Sequence, residues 1–218
     1  MSAFPGPRTG LLGGSFNPAH GAHRRITLFA IAALGLDEAW WLVSPGNPLK
    51  PASGMAPLGV RFASALRQAR GAPIRVSALE RELGTRYTAD TLRRVCRRWP
   101  RRRFVWLMGA DNLAQFHQWR NWRDIAKMMP IAVVARPGYD AAAFASPAMA
   151  WLRRYRTSAA SMRIRGEWSA PALVILRFDP DRRSATAIRQ AVPDWAEAHS
   201  PGCWRDQVTR RSIPSEAA

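Results

Sequence analysis

The chain is nearly without lysine: of its 33 basic residues only Lys50 and Lys127 are lysines, and the rest are arginine. Its two cysteines, Cys96 and Cys203, exclude a disulfide framework. Four histidines and two cysteines, with no second cluster at ligand spacing, argue against a zinc centre, and no protein metal site is expected. No apolar run approaches the ~20 residues of a membrane span. The Pro/Gly-rich start, Met1 to Arg8, lacks the apolar core of a signal peptide. A cytoplasmic protein with no membrane partner is expected. Acidic residues are scarce as well, 15 against the 33 bases, which leaves a net charge of +18.

A chain of 218 residues that is 47% apolar suits one sizeable α/β domain. The charge, with a pI near 11.7, raises nucleic-acid binding. The excess is arginine almost throughout, which fits a compositional bias of the host as well as a binding surface. The densest patch is Arg93, Arg94, Arg97, Arg98, Arg101, Arg102 and Arg103. It falls at the end of an expected helix, where cations complement the helix dipole, and it reads first as a solvated helix end. Nucleic acid is therefore the lesser reading, while the positive field steers polyanionic nucleotides toward the protein.

Apolar and aromatic runs alternate with amphipathic segments. Strands are expected at Thr9–Leu12, Ala39–Val43, Ile74–Ser77, Phe104–Met108, Ile131–Ala135 and Leu173–Phe178. Helices are expected at His23–Leu34, Leu58–Arg70, Ala89–Arg98, Asn112–Phe116, Trp122–Met128 and Ala185–Val192, with Gly35 stopping the first. That alternation implies a Rossmann-like α/β fold: a doubly wound, mostly parallel sheet with helices on both faces. The main domain is expected over 9–195, after an extension at 1–8. Residues 139–171 form an irregular basic insert, read as a helix over Ala141–Tyr155 and then a flexible loop. Residues 196–218 are expected to be a loosely held tail.

In such a sheet, ligands bind beyond the carboxyl ends of the strands. The loops there carry the chemistry. Gly13-Gly14-Ser15-Phe16-Asn17-Pro18-Ala19-His20-Gly21-Ala22-His23 joins the first strand to the first helix. Two glycines permit a sharp turn and close ligand approach. The helix start that follows, with its N–H groups and imidazoles, makes an anion site. It is neither a Walker A loop nor GxGxxG. Lys50 ends a Pro/Gly loop after the second strand and offers a compact charge for phosphate oxygens. Thr88 or Asp90 suits the cap of the fourth expected strand's preceding helix. Asp111, after Gly109, can accept bonds from ribose hydroxyls. Trp119 and Trp122, three apart, share a face if helical, and an exposed tryptophan face there could stack on a ring. Ser184, Thr186 and Arg189 form a second candidate phosphate site at a helix start.

The first turn resembles the GG(S/T)F(D/N)PxHxGH signature of the nucleotidylyltransferase superfamily, and within it the bacterial nicotinate-nucleotide adenylyltransferases. Thr85-Arg86-Tyr87-Thr88-Ala89-Asp90-Thr91-Leu92 is similar to that family's (S/T)YTxDTL stretch. Ser184-Ala185-Thr186-Ala187-Ile188-Arg189 is similar to its late ISSTxIR motif. The matches run in order from Gly10 to about Arg189. Four positions depart from the pattern: Ala22 for a glycine, Arg86 for the first hydroxyl residue of the second motif, Arg183 for the leading isoleucine and Ala185 for a serine.

The resemblance implies adenylyl transfer from ATP to nicotinate mononucleotide, giving deamido-NAD and pyrophosphate. It implies His20, His23 and Arg189 as catalytic residues. ATP would be bound by Gly13, Gly14, Ser15, Phe16, Lys50, Gly109, Asp111, Ser184 and Thr186. Nicotinate mononucleotide would be bound by Asn17, Tyr87, Thr88, Trp119 and Arg136, with Trp119 in the stacking role and Trp122 left to the core. Mg²⁺ would arrive with ATP, carried mostly by the triphosphate and water. Two other readings stand beside it: an adenylyltransferase with another acceptor (nicotinamide mononucleotide or phosphopantetheine), and a non-catalytic basic nucleic-acid-binding protein. Oligomeric state is left open, a homo-oligomer included.

Overall fold

A computed structural model describes residues 6–46, 54–135, 140–165, 168–178, 184–199 and 203–213. Six strands form one parallel sheet: β1 (Arg8–Gly14), β2 (Glu38–Val43), β3 (Ile74–Ser77), β4 (Arg103–Gly109), β5 (Ile131–Val134) and β6 (Leu173–Leu176). Their order is β3-β2-β1-β4-β5-β6. All six lie where the apolar runs place them, because a parallel sheet covered on both faces demands near-continuous hydrophobic strands. The order reverses between β1 and β4, so the loops leaving these two strands diverge and open a crevice.

Side chains alternate between two cores. Leu11, Trp40, Trp106 and Ile131 face one; Leu12, Trp41, Leu107 and Ala132 face the other. The second face is covered by α1 (Gly21–Leu34) and α2 (Leu58–Ala69). The first is covered by α3 (Leu79–Leu83), α4 (Thr88–Arg98), α5 (Ala110–Gln115) and α6 (Trp122–Met128). Gly35 ends α1 in the left-handed region, at φ 63°, which a glycine adopts without penalty.

The insert differs from the expected single helix. It holds two short helices, α7 (Asp140–Phe144) and α8 (Pro147–Leu152). Ser146 starts the second by accepting the Met149 N–H at 3.1 Å, with Pro147 behind it, so the chain breaks where a cap and a proline meet. Helix α9 (Ala185–Ala191) follows β6.

The segment expected to hang loosely does not, over residues 203–213. Strands β7 (Trp204–Arg205) and β8 (Ser212–Ile213) pair antiparallel, and Asp206 between them is 2% exposed. The arginine patch is largely engaged too. Arg93 meets Asp90 and Asp124 at 2.8 and 2.7 Å, Arg98 meets Glu82 at 2.6 Å, and Arg102 meets Glu38 at 2.6 Å. Glu38 also receives Arg75 at 2.6 Å, which ties the amino-terminal edge of the sheet together.

Strand β1 must pass close under Trp106. A Cβ on Gly13 would stand 2.6 Å from Trp106 Cη2. Gly13→Ala is therefore expected to force the buried indole aside at a cost of about 1–3 kcal/mol, read as a lower urea midpoint. An unchanged midpoint would show that the ring yields freely.

Candidate active site

The crevice at the switch point is a cavity of about 440 Å³. Its two flanks come from opposite halves of the sheet. Gly109, Asp111, Asn112, Val134, Ser184 and Ala185 line one; Ser44, Gly46, Glu80, Arg86, Tyr87 and Thr88 line the other. Gly13, Gly14, Ser15, Phe16, Asn17, His20, Ala22 and His23 form the floor between them.

The floor is shaped differently from a glycine-driven turn. Gly13 and Gly14 are still in strand β1, and the left-handed residue is Phe16, at φ 49°. Its ring is buried, stacks on Trp41 at 5.0 Å and lies 4.9 Å from His23. That packing offsets the cost of a positive φ in a bulky residue. The glycines serve close approach instead: Gly13 makes room for Trp106, and a Cβ on Gly109 would collide with Asp111 Oδ1.

His20 is the cap residue of α1, and its N–H donates to Nδ1 of His23 at 3.2 Å. An accepting Nδ1 puts the ring proton of neutral His23 on Nε2. The two imidazole centroids lie 3.9 Å apart. Behind them, Thr27 Oγ1 donates to the His23 carbonyl at 2.7 Å and accepts the Trp41 indole N–H at 2.9 Å, so the helix start rests on the core.

Arg61 fixes the rim. Only 1% exposed, its guanidinium donates to the carbonyls of Ser15 (2.8 Å), Ser44 (2.6 Å), Pro45 (3.2 Å) and Ala56 (2.8 Å). One turn on, Ser64 Oγ accepts the Ala19 N–H at 2.9 Å. Neither residue stood out in the sequence, where α2 reads as an ordinary amphipathic helix.

The other expected residues divide. Trp119 stands on the cavity wall, edge-on to Trp106 at 6.3 Å, and Trp122 is in the core. They do not share a helix, because Asn121 turns left-handed between them, at φ 54°. Tyr87, not Thr88 or Asp90, is the cap residue of α4; Asp90 pairs with Arg93 instead. Arg120, unforeseen, lies 4.7 Å over the Tyr87 ring and joins the two walls.

Asn17 lines the floor, but its amide is engaged by backbone: Nδ2 donates to Gly54 at 2.8 Å and Oδ1 accepts Ala56 at 3.1 Å. Ser184 caps α9 through the Ala187 N–H at 3.1 Å. Arg189 and Thr186 are not on the cavity wall; Arg189 donates to the Asn17 carbonyl at 2.5 Å and to Thr186 Oγ1 at 3.3 Å. Lys50 and Arg136 lie outside the described residues.

The cytidylyltransferase-like family profile matches residues 11–191. Among relatives, a "Probable nicotinate-nucleotide adenylyltransferase" of Erythrobacter litoralis is 72% identical, covering 96% of this chain and 95% of its own. One bearing the same description, from Parvibaculum lavamentivorans, is 51% identical over 85% of this chain and 92% of its own. This chain belongs to the nicotinate-nucleotide adenylyltransferases. The fold agrees: the Plasmodium falciparum nicotinic acid mononucleotide adenylyltransferase solved with NaAD superposes with a TM-score of 0.63 at 15% identity, covering 84% of this chain and 83% of that one. The two alanines that depart from the family pattern, Ala22 and Ala185, both lie on the cavity wall of this adenylyltransferase. Among the described residues no cluster of three or more His, Cys, Asp or Glu stands ready for a metal, and no helix is long and apolar enough to cross a membrane.

Glu80 is the unexpected titrating group of the site. It is 7% exposed on the cavity wall, and burial pushes its carboxyl up to about 7 against a lowering hydrogen bond from Ser44. The folded protein thus holds this proton more tightly than the unfolded chain does. Stability contributed by the neutral form is present below pH 4.5 and is lost as pH rises to about 7. Glu80→Gln is expected to remove that slope, so wild type loses about 2–3 kcal/mol relative to the variant across the interval. Urea denaturation of both proteins at pH 5 and pH 8 reads it; parallel losses would assign the slope elsewhere.

Proposed function

We propose that the cavity binds ATP and nicotinate mononucleotide side by side and that the chain transfers the adenylyl group between them. Deamido-NAD and pyrophosphate are the products. The observation that carries the mechanism is the His20–His23 pair, oriented at the start of α1 with His23 Nδ1 accepting the His20 N–H.

The acceptor's 5′-phosphate oxygen attacks the α-phosphorus of ATP. The bond to the bridging oxygen breaks, and its electron pair leaves with pyrophosphate. An ionised phosphate is already a nucleophile, so no general base and no covalent enzyme intermediate are needed. The protein supplies position and charge stabilisation. His20 and His23 face the α-phosphate and the bridging oxygen, where negative charge grows. Gly13, Gly14, Ser15 and Phe16 form the floor under the phosphates. Gly109 and Asp111 take the ATP ribose side, with Lys50 and Ser184 toward the β- and γ-phosphates; Thr186 and Arg189 stand behind that wall, and the bond from Arg189 to Asn17 ties this motif to the floor. Tyr87, Thr88 and Trp119 take the pyridine ring, with Asn17 and Arg136 on the same substrate. Mg²⁺ carried in with ATP would supply positive charge to offset the leaving pyrophosphate, and no residue of this chain is assigned to hold it.

His23→Ala is expected to cut turnover by about 10² or more with little change in ATP affinity, measured as pyrophosphate release beside ATP titration. Unchanged turnover would overturn the assignment. Run with wild type, the same assay separates acceptors. Preference for nicotinate over nicotinamide mononucleotide supports the reading; preference for the amide keeps the mechanism and changes the substrate.

A further inference from the structure

Helix α3 is five residues long, too short to be stable alone. It nevertheless carries Glu80 into the cavity, and the carbonyls of Glu80 and Arg81 receive the N–H groups of Thr85 and Gly84 at 3.0 and 3.1 Å, shaping the turn that leads to Tyr87. What holds α3 comes from the far end of the chain. Asp206 Oδ2 accepts the Ser77 hydroxyl at 2.8 Å and the Ala78 N–H at 2.7 Å, where β3 becomes α3. Its Oδ1 accepts the N–H groups of Val208 and Thr209, each at 2.8 Å, and so closes its own hairpin. Gln207 adds a second fixing point. Its N–H donates to the Val76 carbonyl at 3.1 Å and its Oε1 accepts the Val76 N–H at 2.8 Å. Arg211 stands 3.4 Å from Glu82, at the other end of α3.

Covering a sheet edge needs only the contact at Val76. The carboxylate on Ser77 and Ala78 does more: a charged acceptor bonded to two buried donors at the β3–α3 junction fixes position tightly. We propose that the β7–β8 hairpin, through Asp206, is a positioning element for the acceptor side of the active site. It sets α3, and thereby the wall running from Glu80 to Thr88. The proposal rests on the reading that this wall takes the pyridine mononucleotide, while the ATP flank, built from β4, β5 and α9, makes none of these hairpin contacts.

The test uses the full chain with ATP and nicotinate mononucleotide varied in turn. Wild-type turnover is measured first, since its absence overturns the acceptor reading and not the hairpin's role. Asp206→Asn is expected to raise the KM for the mononucleotide roughly tenfold and leave the KM for ATP within about twofold. General loosening of the fold would move both substrates together. Gln207→Ala, which keeps the backbone contact, is expected to give a smaller rise of the same selectivity, and it decides the question if Asp206→Asn does not fold. Equal changes for both substrates, or an unchanged mononucleotide KM in a folded variant, overturn the proposal.

Discussion

One buried guanidinium holds the mouth of this protein together. Arg61 gathers carbonyls from three separate loops: the turn after β1, the exit of β2, and the chain entering α2. Left without a donor, each buried carbonyl would cost on the order of 1–3 kcal/mol. The constraint runs in both directions. The carbonyls satisfy a buried charge, and the charge sets how far β1 and β2 part. The crevice therefore has a fixed floor even though it is made of loops.

The histidine pair depends on that floor. Phe16 takes a backbone conformation that a bulky residue rarely adopts, held by Trp41 beneath it. Trp41 in turn supports Thr27, and Thr27 the carbonyl of His23. Phosphate chemistry that relies on position rather than on covalent participation asks for this kind of support, because a small displacement of a charge-stabilising donor is costly in rate.

The sequence displayed the sheet and the motifs well, since both are local. Continuous apolar runs marked all six strands, and the His20–His23 spacing marked the floor. What stayed hidden depended on distant partners. Arg61 looks like any arginine of an amphipathic helix until its carbonyl acceptors are folded around it. Glu80 sits on a helix too short for periodicity to reveal. Asp206 meets Ser77 across most of the chain, so a segment with no periodic pattern proved to be docked. Phe16 shows the opposite error: glycines next to it suggested where the backbone turns, while packing placed the left-handed residue elsewhere. The break at Ser146-Pro147 was written in the residues, as a cap followed by a proline, and was overridden by the length of the alanine-rich run.

The shortage of acids has a consequence for how this protein tolerates change. Glu38 serves Arg75 and Arg102 together, and Glu82 serves Arg98 and Arg211. Each such carboxylate is shared, whereas arginines are abundant and many stand near another. Loss of one arginine from either set leaves the carboxylate its other partner. Drift at the few glutamates releases two cations at once. At Glu38 and Glu82, therefore, a single substitution disturbs more of this surface than one at any of the four arginines they hold.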